Sequence, residues 1–221
     1  MLVNDQCGRA GTGQSQQGYR EQADMKGVVA MGVTDVAVDT TIDVAVAEID
    51  EPGLDSTRFK LAFRNHAAGV AVVTADPGSG PVALTATSVF SVSAEPPLLV
   101  FSLSRMSSST PFILAAETVV VHLLRSEDLA LARLCSMSGA DRFADTTAWE
   151  RLDTGEPRFH SAHTWVRGRI VHLLDAGGSV VVVVHALEAS TPGESDAESV
   201  HPLVYHNRQW HELSEISRIG E

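Results

Sequence analysis

After a polar start, the chain settles into short apolar runs with a two-residue rhythm, broken by brief stretches of helical spacing. VAVVTAD (70–76) is a β-branched run followed by Pro-Gly-Ser-Gly-Pro, which predicts a strand and a tight turn. VALTATSVFSVSAEPPLLVFSLS (82–104) predicts two strands parted at Pro96-Pro97, because a proline pair cannot sit inside a paired central strand. TVVVHLL (118–124), 165–174 and 179–187 predict three more strands. The last holds five successive valines, 180–184, the pattern of a strand buried on both faces. PLVYHNRQWHEL reads as a closing hairpin, reached through a polar loop over 188–198.

The helical stretches are short. Ser56 is placed to cap a helix whose apolar side falls at Phe59, Ala62, Phe63 and Ala67, with Gly69 ending it. Thr110-Pro111 opens a second through Ala116. Ser126, with Glu127 and Asp128 in the first turn, opens a third to about Met137. Six or more strands with few helices predict a mainly β fold, a barrel with α-helical covers.

Residues 1–54 read differently. The first 22 are rich in Gly, Gln and Ser, and DVAVDTTIDVAVAEID adds an acidic alternation; residues 1–55 together carry ten acids and three bases. Such a segment is too polar to repay the entropy of ordering, so it is expected to be an acidic, poorly ordered extension ahead of a domain over 55–221. The short apolar run at 27–33 is too brief for a signal peptide.

The 221 residues carry a formal net charge of −12, which argues against nucleic-acid binding through a broad basic surface. No uncharged apolar run approaches the roughly 18 residues of a membrane span, so a membrane protein is not expected. Two cysteines, Cys7 and Cys135, make no disulfide framework and suit a reducing, cytoplasmic setting. Nine histidines are scattered without metal-ligand spacing, so no metal site is expected. There is no G-x-S-x-G elbow, and neither nucleotide fingerprint follows a strand. What stands out is small hydroxyl residues at strand ends: TATS (85–88), FSLS (101–104) and RMSSST (105–110). Hydroxyls and amides there suit a phosphate and a planar polar ring, and Arg105 offers a fixed positive charge. Alternatively, these residues simply fill small barrel positions and turns.

In chain order, FRNHAAGVAVVTA (63–75), LTATSVFSVSAEPPLLVFSLS (84–104), SSSTPFIL, VVVHLL, DRFAD and PLVYHNRQW resemble the flavin reductase-like proteins with the FMN-binding split barrel. The match runs from about Arg58 to Leu213. The resemblance implies that Thr85, Ala86, Thr87 and Ser88 line the isoalloxazine ring, largely through backbone groups, with Ser102, Leu103 and Ser104 beside them. Arg105, Ser108, Ser109 and Thr110 would hold the phosphate. His122 stands where the family commonly has an asparagine. Arg142 is a candidate to reach the flavin tail or a dimer partner, the alternative being an exposed salt bridge. Tyr205 and His206 match the family near the flavin or nicotinamide, while Ser179 replaces the family's usual histidine beside the nicotinamide.

The resemblance further implies FMN, or FAD, as cofactor and NADH or NADPH as hydride donor. It implies a homodimer, and service to a separate flavin-dependent monooxygenase through released reduced flavin. Hydride transfer between the two rings is the cofactors' own chemistry, so no acid–base dyad is required and no catalytic side chain is assigned. Two alternatives are a flavin carrier or sensor with little reductase activity, and a barrel built for a deazaflavin or haem.

Overall fold

The computed structural model describes residues 52–191, 193 and 200–220; the acidic extension over 1–51 and most of the expected polar loop lie outside them. In chain order the elements are α1 (Ser56–Phe63), β1 (Ala68–Gly69), β2 (Ala71–Ala75), β3 (Val82–Ala86), β4 (Phe90–Ala94) and β5 (Pro97–Ser104). Then come α2 (Thr110–Ala115), β6 (Thr118–Leu123), α3 (Leu129–Ser136), β7 (Trp149–Arg151) and β8 (Pro157–Phe159). Two long strands follow, β9 (Thr164–Ala176) and β10 (Ser179–Ser190), and the hairpin β11 (Leu203–His206) and β12 (Gln209–Glu212) closes the domain.

Seven strands form one antiparallel sheet in the order β3-β2-β6-β9-β10-β5-β4, and β1, β11 and β12 form a smaller one. The large sheet curls until β3 and β5 approach without laddering. Side chains bridge that gap. The Ser88 hydroxyl accepts from Ser102 N–H at 2.9 Å and donates to Ser102 C=O at 3.2 Å, while Ser109 donates to the Ala83 carbonyl at 3.1 Å. The expected β barrel is present, and it is split.

The period of two decides what is buried. On β2, Ala71, Val73 and Ala75 face the barrel core with Phe101, Val121, Val182 and Ile113. Val70 and Val72, pointing the other way, join Leu131, Ala132, Cys135, Phe159 and Leu203 in a second core under α3. So β2 is buried on both faces, as is β6 over Val119 to His122. The valine run of β10, expected to be, alternates instead: Val180, Val182 and Val184 are buried, whereas Val181 and Val183 are half-buried.

Other expectations are corrected locally. The 82–104 segment makes three strands, since residues 87–89 leave the ladder before β4 begins. Asp55, not Ser56, caps α1, its carboxylate accepting from the N–H groups of Thr57 and Arg58. That helix buries none of its residues; Phe59 and Phe63 pack on each other with centroids 4.9 Å apart. Gly69, expected to end it, lies on β1. The third helix opens with a 3-10 turn, and Asp128 accepts from Arg125 N–H at 3.0 Å, so the cap sits one residue before Ser126. The closing hairpin forms as expected, Asn207 and Arg208 both at positive φ in its two-residue turn.

Two buried groups hold the layers in place. Gly168 pairs with Val119 on β6 and Ala186 on β10, beside a register shift. A Cβ there would lie 2.4 Å from Val184 Cγ1 and 2.6 Å from the His185 carbonyl, so the backbones could not approach as they do. His122 is fully buried on β6 between the cores. Phe159 N–H can only donate, so Nε2 (3.1 Å) accepts it and the proton sits on Nδ1, which donates to Val72 C=O at 3.0 Å. Burial, with the Arg158 charge adding to it, lowers the His122 pKa to about 4 despite the bond to Val72.

Replacing Gly168 with alanine is therefore expected to cost about 2 kcal/mol, read as a fall in the midpoint of urea unfolding. His122 must be neutral when folded but titrates near 6.5 when unfolded. Its stabilising contribution is complete above about pH 6.5 and is lost as the pH falls toward 4. Unfolding free energies measured across that window should fall less steeply for His122→Gln than for the wild type.

Candidate functional site

The hydroxyl-rich segments meet at the end of the split barrel. Ser104 ends β5 opposite Ser179, which opens β10, and Ser102 pairs with Val181 two steps along. The loop after β3 carries Thr87 and Ser88, and the Ser88 bonds to Ser102 fasten it to β5. Thr85, Ser88, Ser102, Ser104 and Ser179 are all half-buried, as a rim should be.

Most of the hydroxyls are already spent on the protein. Thr85 donates to the Ala132 carbonyl at 2.7 Å and ties β3 to α3. Thr110 donates to Ser104 C=O at 2.7 Å and Ser109 to Ala83 C=O, both hydroxyl residues being buried. The Ser104 hydroxyl accepts from Met106 N–H at 3.3 Å. These bonds shape two successive turns, over 104–107 and 107–110, with Ser108 exposed in the second. Arg105 lies on the first. Its backbone N–H donates to Gly178 C=O at 3.0 Å, Nε to Gly177 C=O at 3.2 Å, and Nη2 pairs with Asp175 at 2.6 Å.

The other expected residues fall in three places. Ala86 and Leu103 are barrel core, 6% and 1% exposed, so only their backbone can face a ligand. His122 and Arg142 sit elsewhere. Both His122 nitrogens are engaged inside the second core, and Arg142 donates to the carbonyls of Cys135, Ala140 and Met137, capping the end of α3. Tyr205 and His206 lie on β11, reached from β2 through β1, with Tyr205 opposite Ala68. Tyr205 packs edge-on against Trp210, and the His206 and His211 rings stand 5.5 Å apart. Sequence reading separated the two long strands but did not place the Gly177-Gly178 turn between them against Arg105; its signal was the Gly-Gly pair itself.

Electrostatically the rim is sparse in charge. Arg105 supplies the guanidinium, paired with the Asp175 carboxylate, and the hydroxyls and amides around them are neutral. Among the described residues no group of three or more His, Cys, Asp or Glu is placed to hold a metal ion. The Cys135 thiol is buried and its pKa is pushed up to about 12 by burial, with Arg142 opposing, so it is no nucleophile. Such a set of groups can bind and orient a planar polar ring bearing an anionic tail, and it offers no acid–base pair. It fits a flavin phosphate: backbone along residues 85–88 and 102–104 for the ring, Arg105 and Ser108 for the tail.

Comparisons with known proteins bear on the family. A family model described as "Flavin reductase like domain" matches residues 63–214. The NADH:FMN oxidoreductase of Rhodococcus erythropolis is 41% identical over 180 residues, covering 80% of this chain and 93% of its own. The reductase component of a 4-nitrophenol 4-monooxygenase/4-nitrocatechol 2-monooxygenase from Rhodococcus opacus is 28% identical over 153 residues, covering 69% and 78%. The crystal structure of a flavin reductase domain protein from Arthrobacter sp. FB24 superposes with a TM-score of 0.66 at 33% identity, over 72% of this chain and 96% of that one. A family model matched over residues 63–214, with a 41% identical relative covering 80% of the chain, means that this chain belongs to the flavin reductase-like family.

Proposed function

We propose that the protein is an NADH-dependent flavin reductase acting on FMN. The observation that carries this is the rim itself, preorganised by internal hydrogen bonds and holding Arg105, in a chain 41% identical to an NADH:FMN oxidoreductase. FAD in place of FMN, and NADPH in place of NADH, are the competing pairs the assay below compares.

The flavin, when bound, supplies the ring that accepts hydride from the nicotinamide. The chain's own work is binding and orientation. Residues 85–88 border the ring through their backbone, and amides there oppose negative charge without proton transfer. Ser88 keeps that loop at a fixed distance from β5. Arg105 and Ser108 take the phosphate. Ser179, at the mouth where the family's histidine would stand, orients the nicotinamide by hydrogen bonding alone, with Tyr205 and His206 as its neighbours.

The assembly in this reading is a homodimer. Val171, Leu173 and Leu187 on the two long strands and Phe90 and Val92 on β4 are each more than 40% exposed in the single chain, and a second copy of this chain would cover them in this reading. The enzyme works in the cytoplasm and passes reduced flavin by diffusion to a separate monooxygenase, as befits a relative of the nitrophenol system's reductase component. No helix among the described residues is long and apolar enough to cross a membrane.

Purified protein given FMN and NADH should consume NADH, read as loss of absorbance at 340 nm, faster than with FAD or NADPH. A protein that binds flavin yet leaves NADH untouched would instead be a carrier. Removing the Ser88 hydroxyl forfeits two hydrogen bonds, so Ser88→Ala should raise KM for FMN by about tenfold and change kcat much less.

A further inference from the structure

The guanidinium expected to meet the cofactor's phosphate is held in this structure by a carboxylate of the same chain. Arg105 Nη2 lies 2.6 Å from Asp175 Oδ2, and both side chains are substantially exposed, at 47% and 68%. Asp175 is the penultimate residue of the long β9, paired with Val180 and followed by Ala176 and the Gly177-Gly178 turn into β10. Arg105 touches that turn at two further points, Nε on Gly177 C=O and its backbone N–H on Gly178 C=O. The turn leads directly into Ser179, which pairs with Ser104 at the rim.

We propose that Asp175 is a specificity-determining residue: its carboxylate holds Arg105 in place of the cofactor's phosphate, and a phosphate-bearing flavin binds by displacing it. The inference rests on the flavin reading above. An exposed ion pair is weak, since water solvates both partners, whereas a phosphate brings up to two charges and forked acceptor geometry to the same guanidinium. Exchange is local. Only the Nη2 contact has to change partner, because the Arg105 backbone bond to Gly178 belongs to the end of the ladder and remains.

Asp175 has room to withdraw, being exposed beside a Gly-Gly turn in which Gly177 stands at φ +63°. Two consequences follow. A flavin lacking the phosphate leaves the Arg105–Asp175 pair intact and gains nothing from it. The pair taxes every phosphate-bearing ligand equally, so it lowers the retention of FMN and favours release of flavin after turnover. The residue acts through Arg105 and is a positioning residue, not a catalytic one.

Quenching of flavin fluorescence tests this with FMN and riboflavin as probes, on the wild type, Asp175→Asn, Arg105→Gln and the double variant. Asp175→Asn should tighten FMN by about three- to fivefold, the worth of one exposed ion pair, and leave riboflavin unchanged. In the Arg105→Gln background the same substitution should have no effect, and FMN and riboflavin should bind within about twofold of each other. Thermal unfolding of each variant shows whether the fold is retained, and Arg105→Lys should restore part of the FMN preference. Unaltered FMN binding in Asp175→Asn, an equal shift for both flavins, or a gain that persists without Arg105 overturns the proposal while leaving the flavin reading standing. Failure of the wild type to bind either flavin overturns that reading and this proposal together.

Discussion

Two strands that come close without laddering set the terms for the rest of this molecule. Where β3 and β5 approach, backbone groups that a closed barrel would pair with each other must find partners among side chains, because an unmet buried amide or carbonyl is costly. Ser88 and Ser109 meet that demand, one bridging to Ser102 and the other to Ala83. Small hydroxyls are the residues that can do so without wedging the strands apart. The same requirement that keeps the barrel standing thus concentrates hydroxyls and amides at one end of it, and that end is where a ring with polar edges fits.

Function then follows from what the rim leaves open. Thr85, Ser109 and Thr110 are bound to the protein, so they preorganise the loops more than they offer their own oxygens. What the rim presents outward is the exposed Ser108 and the guanidinium of Arg105, held there by an exposed ion pair to Asp175. An enzyme whose cofactors carry the electron chemistry needs little beyond this: two rings held face to face and a charge at the far end.

Much of this was legible in the chain. The alternating runs placed nearly every long strand, the proline pair marked a real turn, and the ordered motifs identified the fold and the hydroxyl rim. What was not legible depended on partners distant in sequence. His122 reads as a polar residue on an apolar strand; only the approach of Val72 and Phe159 reveals that it braces two layers. Arg142 looks available until the end of α3 takes its donors. The valines of β10 look doubly buried because composition cannot say that the face carrying Val181 and Val183 is only half covered. The apolar residues of α1 mislead for the same reason, having helical spacing and no surface of the described chain to cover.

The account stands most directly on where a flavin lands. Amide chemical shifts of isotopically labelled protein, followed by NMR as FMN is added, report that position residue by residue. The account predicts that the largest changes fall on residues 85–88 and 102–108, with the turn over 175–178 moving with them and α3 little affected. Changes clustered around His122 and Arg142, or on the outer hairpin β11–β12 alone, would contradict it.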